Sequence, residues 1–341
     1  MVRFVRDFRE DSKLALIAVL GPTGAGKSEL AMLLARRFQG EIVSCDSVQV
    51  YRGLDIGTAK VSVEQQKAIP HHLIDTVDLD CDLSAGAYGR LARTALSQIA
   101  HRGKLPVVVG GTGLYLRALL EGLAPAAPRD EQLRKWLARL AERRPNGLHR
   151  FLRRVDPQAA SRIHPNDRHK LTRAIELSIL ERQPLTAIHR RPRPALHGFA
   201  VLKIGLDPDR TELHSKLNAR SVLMFESGLL EETAAALSAG FSPQSKPLQS
   251  LGYKQAVAVL HGELSLEEAI RVCQTKTRQY AKRQMTWFRA EPDVHWLSGF
   301  GTDEAIQQAV VLLTTEFLTR IGKHGKCEPV LHPSTDRWLP K

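Results

Sequence analysis

The stretch GPTGAGKSEL, residues 21–30, decides how this chain is read. LALIAVL (14–20) precedes it, a short apolar run that reads as a buried strand. SELAMLLARRF follows, with apolar residues at helical spacing. Residues 21–28 match G-x-x-x-x-G-K-[ST] in full, in the strand–loop–helix context that the pattern needs. Gly21, Gly24 and Gly26 let the backbone aim its N–H groups at an anion, with Pro22, Thr23 and Ala25 between them. The helix N-terminus adds partial positive charge. Lys27 can reach phosphate oxygens, and the Ser28 hydroxyl is placed for Mg2+. The loop predicts a bound phosphate chain but does not name the molecule that carries it.

Outward from the loop, EIVSCD (41–46), LPVVVGGT (105–112) and FAVLKIGLD (199–207) read as further strands, and HHLIDTVD (71–78) as containing another. Residues 84–104 read as a helix opened by Ser84 and closed by Gly103. Strands alternating with helices imply an α/β fold: a P-loop NTPase-like core whose parallel sheet is flanked by helices. Ligands in such sheets bind beyond the carboxyl ends of the strands, which puts residues 21–28, Asp46 and Thr112 on one rim. GLAPAAPRD (122–130) and RRPRPALHG (190–198) read as linkers around an arginine-rich helical stretch. The expected organisation is therefore a catalytic core of residues 10–124 and 199–323 and an inserted all-helical domain at 125–198. The C-terminal part from 209 to about 322 reads as almost entirely helical, and 324–341 as a disordered tail.

Charge is unevenly spread around the net +13. Residues 125–200 hold 17 Lys or Arg against 7 Asp or Glu, and 269–290 hold six bases and no acid, so the rest is slightly acidic. Clustered positive charge predicts a polyanionic partner such as nucleic acid. Around 265–290, Arg271, Arg278, Lys282 and Arg289 fall within about 40° of one another on a helix, while Cys273, Ala281 and Phe288 take another side. One face would pack and the other follow phosphates. There is no apolar run long enough for a membrane span and no signal-peptide core at the N-terminus. The four cysteines form no CxxC pair. A cytoplasmic monomer, not membrane-bound, is the expectation.

A hydrolysing NTPase would show an apolar strand ending in Asp, yet the clearest strand ends in VVVGGTG (107–113). The acid lies elsewhere, in SCDSVQVY (44–51): Asp46 stands at a strand end, suited to take a proton or to hold metal through water, or to cap its own loop. At this point the chain resembles bacterial tRNA dimethylallyltransferases. GPTGAGKS, SCDSVQVYRGLDIGTAK, PHHLID, VVVGGTGLYLRALLEGL, RIHPNDRHKLTRAIE, QSLGYKQ and TRQYAKRQMTWFR occur in that family's order, from about residue 15 to 297.

The resemblance implies transfer of the dimethylallyl group from dimethylallyl diphosphate to the exocyclic amine of the adenosine 3′ of the anticodon, in tRNAs reading U-initial codons. The partner is the tRNA anticodon stem-loop, and the phosphate loop holds the leaving diphosphate with Mg2+ on Ser28. By carry-over, Asp46 is the general base, Thr112 contacts the reacting centre, and Lys27 and Arg220 neutralise diphosphate. Ser47, Val48 and Gln49 meet the target base. In the insertion, Arg134 and the HKLTR segment (His169, Lys170, Leu171, Thr172, Arg173) contact the stem. QSLGYK (Gln249, Ser250, Leu251, Gly252, Tyr253, Lys254) and the basic helix residues Arg278, Lys282, Arg283 and Arg289 complete the RNA surface.

Three other readings stay open here. An adenylate dimethylallyltransferase would act on free nucleotides but has no use for a basic insertion. A small-molecule kinase would consume ATP. An RNA-binding module with a decayed loop would not keep Lys27, Ser28 and Asp46. The chain departs from the family at DCDLSAGAY (80–88), where relatives often carry an acidic-proline stretch. It also lacks the zinc finger of eukaryotic members, since Cys327 alone stands near His324 and His332.

Overall fold

The computed structural model describes residues 13–322. The expected tail at 324–341, with Cys327, and residues 10–12 of the expected core lie outside them. The chain first lays down β1 (Leu14–Leu20), α1 (Lys27–Arg37), β2 (Gly40–Ser44), α2 (Val63–Ala68), β3 (His71–His72), α3 (Ala85–His101), β4 (Leu105–Val109) and α4 (Gly113–Leu120). It continues through α5 (Glu131–Arg143), α6 (Gly147–Val155), α7 (Pro157–Arg162), α8 (Arg168–Leu180) and α9 (Leu185–Ile188). It then adds β5 (Phe199–Leu206), α10 (Arg210–Glu226), α11 (Leu229–Ser238), α12 (Tyr253–Leu260), α13 (Leu266–Phe288), β6 (Val294–Leu297) and α14 (Glu304–Gly322).

All pairings are parallel, in the order β3-β2-β4-β1-β5-β6. β1 lies inside the sheet, with Ile17 level with Val107 on one side and Leu202 on the other. Its Leu16–Leu20 are essentially inaccessible, as a strand covered on both faces must be. On one face Leu30 and Leu34 of α1 and Val310 and Phe317 of α14 pack against Ile17, Val19, Val107 and Ile204. Because every strand is parallel, the loops after β1, β2, β4 and β5 emerge on the same edge. That topology, not local sequence, gathers the site. Among the described residues no helix is long and apolar enough to cross a membrane.

Ser84 caps α3 through the Ala87 N–H, and Gly103 leaves that helix at φ +70°, as the sequence implies. The strand expected within 71–78 is there but only two residues long, because Leu73 and Asp75 take left-handed φ values of 62° and 50° that no strand accommodates. Backbone hydrogen bonds then tie residues 75–77 to 49–52, with a parallel bridge between Val77 and Tyr51. Conversely, VHWL (294–297) is an edge strand inside what reads as a helical C-terminal half. A four-residue run is too short to declare its period.

The chain divides into two compact units, residues 120–196 and the remainder. The smaller unit has its own core of Leu137, Leu148, Leu152, Leu171, Ile175 and Ile188. At its centre Glu176 is fully buried, with Arg134 at 2.8 Å, Arg173 at 2.6 Å and the Asp130 N–H at 2.9 Å. Burial works against the Glu176 charge, but the two guanidiniums and the amide outweigh it and hold the carboxyl down at about 2. A carboxyl held below its ordinary value stabilises the fold above that value and stops doing so as pH falls. The unit should therefore lose on the order of 3 kcal/mol between about pH 4.5 and pH 2. Amide protection factors along α8 should fall over that interval, and Glu176→Gln should be weaker from the outset with a flattened acid response.

Candidate active site

The phosphate loop leaves β1 at Gly21 and enters α1 at Lys27. Gly24 and Gly26 have φ of +80° and +79°, a region that side chains disfavour. Gly26 has a second reason, since a Cβ there would lie 2.9 Å from the Gly301 nitrogen. The segment after β6 presses on the loop, and the Gly301 N–H donates to the Ala25 carbonyl at 2.8 Å. From the other side Gln284 of α13 braces it. The Gln284 Oε1 accepts the Thr23 N–H at 2.8 Å, and its Nε2 donates to the Gly111 carbonyl beyond β4 at 2.9 Å. One amide thus ties the loop after β1 to the loop after β4.

These segments open on a cavity of about 1360 Å³ lined entirely by the larger unit. Thr23, Gly24, Gly26, Lys27 and Ser28 form its floor; Gly21, Pro22 and Ala25 are buried beneath. Asp46, Ser47, Val48 and Gln49 form one wall, and Arg220 of α10 stands opposite among Lys216, Leu217 and Met224. The Lys27 Nζ donates to the Pro22 carbonyl at 2.5 Å. Burial and then Arg220 depress the Lys27 ammonium to about 8, with Asp46 and Glu29 acting the other way. Burial likewise lowers Arg220, against the pull of Asp46 and Glu29. Two cations held close in a desolvated site are what a diphosphate would relieve.

The Asp46 Oδ1 accepts the N–H groups of Val48 at 2.8 Å and Gln49 at 3.2 Å, so the carboxylate does cap its own loop. Those bonds use one oxygen and leave Oδ2 for a ligand. Thr112 sits beside this wall, its hydroxyl accepting the Ser47 N–H at 3.1 Å. Gln249, Ser250, Leu251, Lys254 and Arg283 also reach the cavity.

Several expected RNA contacts are engaged elsewhere. Leu171 and Tyr253 are buried, and Gly252 is buried beside Tyr253. Arg134 and Arg173 neutralise Glu176. Arg289 pairs with Asp207 at 3.0 Å, and the Arg278 Nη1 donates to Asn218 of α10. His169 and Lys170 are exposed, Lys170 paired with Asp167, while Thr172 is half-buried and Lys282 exposed. In the other direction, sequence reading missed Gln284, Tyr280, Lys216 and Phe300, which all line the cavity. The signal for Gln284 was present: it is a polar residue on the same helical stripe as Ala281 and Phe288, and a buried polar side chain is informative. The Tyr280 phenol is pushed up to about 12, by burial and then by Asp46.

The sequence model of the IPP transferase family matches residues 49–291. A tRNA dimethylallyltransferase of Solibacter usitatus is 50% identical over 305 residues, spanning 89% of this chain and 99% of the relative. One from Koribacter versatilis is 54% identical over 292 residues, spanning 85% and 95%. Among solved structures, the full-length tRNA isopentenylpyrophosphate transferase of Bacillus halodurans is similar with a TM-score of 0.68 and 36% identity, covering 92% of this chain and 99% of that one. A eukaryotic dimethylallyltransferase acting on tRNA aligns with a TM-score of 0.73 and 28% identity, covering 90% and 80%.

Lys27 binds an anion only when protonated, so its contribution should fade as pH rises past about 8. Calorimetric titration with inorganic diphosphate should show wild type binding more tightly than Lys27→Met near neutral pH. The gap should narrow above about pH 8, and because the two proteins share one ligand, the ligand's own titration cancels.

Proposed function

The chain belongs to the IPP transferase family of tRNA dimethylallyltransferases, and on that premise we propose that it joins the dimethylallyl group of dimethylallyl diphosphate to the exocyclic amine of the adenosine 3′ of the anticodon. The observation that carries this reading is that Asp46 faces the same cavity as Lys27 and Arg220. A proton acceptor and a diphosphate cradle share one cavity. Relatives named for tRNA favour this acceptor over a free nucleotide, and nothing in the site favours a kinase.

The allylic carbon bound to diphosphate is the electrophile and the adenine amine the nucleophile. The amine's lone pair is delocalised into the ring, so it attacks well only as its proton leaves. The new C–N bond forms, the C–O bond to diphosphate breaks, and the amine proton passes to the Asp46 Oδ2. The Val48 and Gln49 N–H groups hold the other oxygen and so aim the carboxylate. Negative charge builds on the departing diphosphate. Loop amides, Lys27 and Arg220 are preorganised to receive it, with Thr112 and Ser47 fixing the adjacent wall.

The loop also suits Mg2+: the Ser28 hydroxyl is a hard oxygen donor lining the same cavity and would hold the ion beside the diphosphate. Among the described residues no group of three or more His, Cys, Asp or Glu is arranged for a metal. When bound, Mg2+ would supply further neutralisation of the leaving group.

The acceptor must turn out of its stack to enter the cavity, which is least costly in a single-stranded loop. Gln49, Gln249 and Lys254 are the groups proposed to meet the loop, with Arg283 and Lys282 on its phosphates. In the insertion, exposed His169 and Lys170 remain the candidates from the HKLTR segment, and the chain acts as a cytoplasmic monomer.

Asp46→Asn keeps an oxygen to cap Val48 and Gln49 but no longer accepts a proton. Transfer of labelled dimethylallyl group to an anticodon stem-loop should fall by about 10²–10⁴-fold, with stem-loop affinity changed only a few-fold. AMP and ATP serve as parallel acceptors. Label entering AMP, or turnover surviving in the variant, would overturn the reading.

A further inference from the structure

The turn at residues 54–60 contributes Gly57, Thr58, Ala59 and Lys60 to the cavity wall. Its backbone directs three successive N–H groups at one carboxylate, that of Glu232 in α11. Asp55 donates at 2.8 Å, Ile56 at 2.9 Å and Gly57 at 3.4 Å. Successive N–H groups that converge in this way form an anion-binding nest, and here the chain supplies the anion itself. The Tyr253 hydroxyl donates to the same carboxylate at 2.5 Å and accepts the Gly57 N–H at 3.1 Å. The Tyr253 ring fills the space where a side chain at 57 would stand, since a Cβ there would lie 2.5 Å from it. Gly57 is therefore needed for close approach.

The nest is connected to the chemistry by side-chain bonds. The carbonyls of Thr58 and Ala59 accept from the Gln49 Nε2 at 3.2 and 3.5 Å. The Gln49 Oε1 accepts from the Ser44 hydroxyl, and its backbone N–H donates to Asp46. On the other side, Tyr253 opens α12 directly after the Gln249–Leu251 segment of the cavity wall. Glu232 lines no part of the cavity, yet both acceptor-facing segments are tied to its carboxylate.

We propose that Glu232 is a positioning residue for acceptor recognition, its carboxylate locking the 54–60 turn and the start of α12 into one platform that fixes Gln49 and thereby Asp46. This rests on the assignment of tRNA as acceptor and Asp46 as base. It also gives Tyr253 a role other than RNA contact: the phenol is the second clamp of the nest.

The test is a steady-state comparison of wild type, Glu232→Gln and Tyr253→Phe with an anticodon stem-loop and dimethylallyl diphosphate varied in turn. Glutamine keeps the size but turns an NH₂ donor toward backbone N–H groups that can only donate. In Glu232→Gln, kcat/KM for the stem-loop should fall roughly tenfold or more, while KM for dimethylallyl diphosphate stays within about twofold. Tyr253→Phe should shift the same way by less. A KM for dimethylallyl diphosphate that rises as much as the stem-loop's, or an unchanged kcat/KM for the stem-loop, would overturn the proposal. If Glu232→Gln does not fold, the same split in Tyr253→Phe decides. A wild-type protein that leaves the stem-loop unlabelled would instead bring down the assignment of function.

Discussion

A cradle of backbone N–H groups binds an anion only if the surrounding chain holds it open and keeps its donors from turning elsewhere. The contacts around residues 21–28 serve that constraint. Gln284 clamps the loop from α13 and Gly301 presses on it from beyond β6, while Gly24 and Gly26 supply the conformations the turn requires. The sheet serves it as well, since a central β1 with parallel neighbours on both sides delivers the loop to the same edge as Asp46 and Gly111. The 54–60 turn repeats the device with opposite purpose. There the nest is filled permanently by Glu232, so the cradle becomes a fastener.

Electrostatics then distinguishes the two ends of the cavity. Lys27 and Arg220 are near each other and partly desolvated, a costly arrangement unless a polyanion enters between them. Asp46 offsets part of that cost and has one oxygen tied back into its own loop. The same carboxylate can therefore be a loop cap and a proton acceptor, because it has two oxygens.

The basic surplus turns out to contain two populations. Arg134 and Arg173 make a buried Glu176 tolerable, and Arg289 and Arg278 join α13 to Asp207 and Asn218. Removing either population would weaken the protein, but for different reasons: one would leave an uncompensated charge in a core, the other would loosen a contact between elements of the larger unit. A charge count records both as the same footprint.

What was legible in the sequence was what is local. The phosphate loop is a run of eight residues with a required backbone shape, the strands are continuous apolar runs, and helix ends such as Ser84 and Gly103 carry their signals within a few positions. The fold class, the cavity floor and the place of Asp46 at a strand end followed from these, while its role as base came from the family resemblance. The short β3, the strand at 294–297 and the allocation of arginines did not. Only the tertiary structure decided those, because the partners are remote: Thr23 meets Gln284 across 261 positions and Asp55 meets Glu232 across 177. A side chain's type limits the bonds it can make, but which bond it makes depends on what folding brings within 3 Å of it.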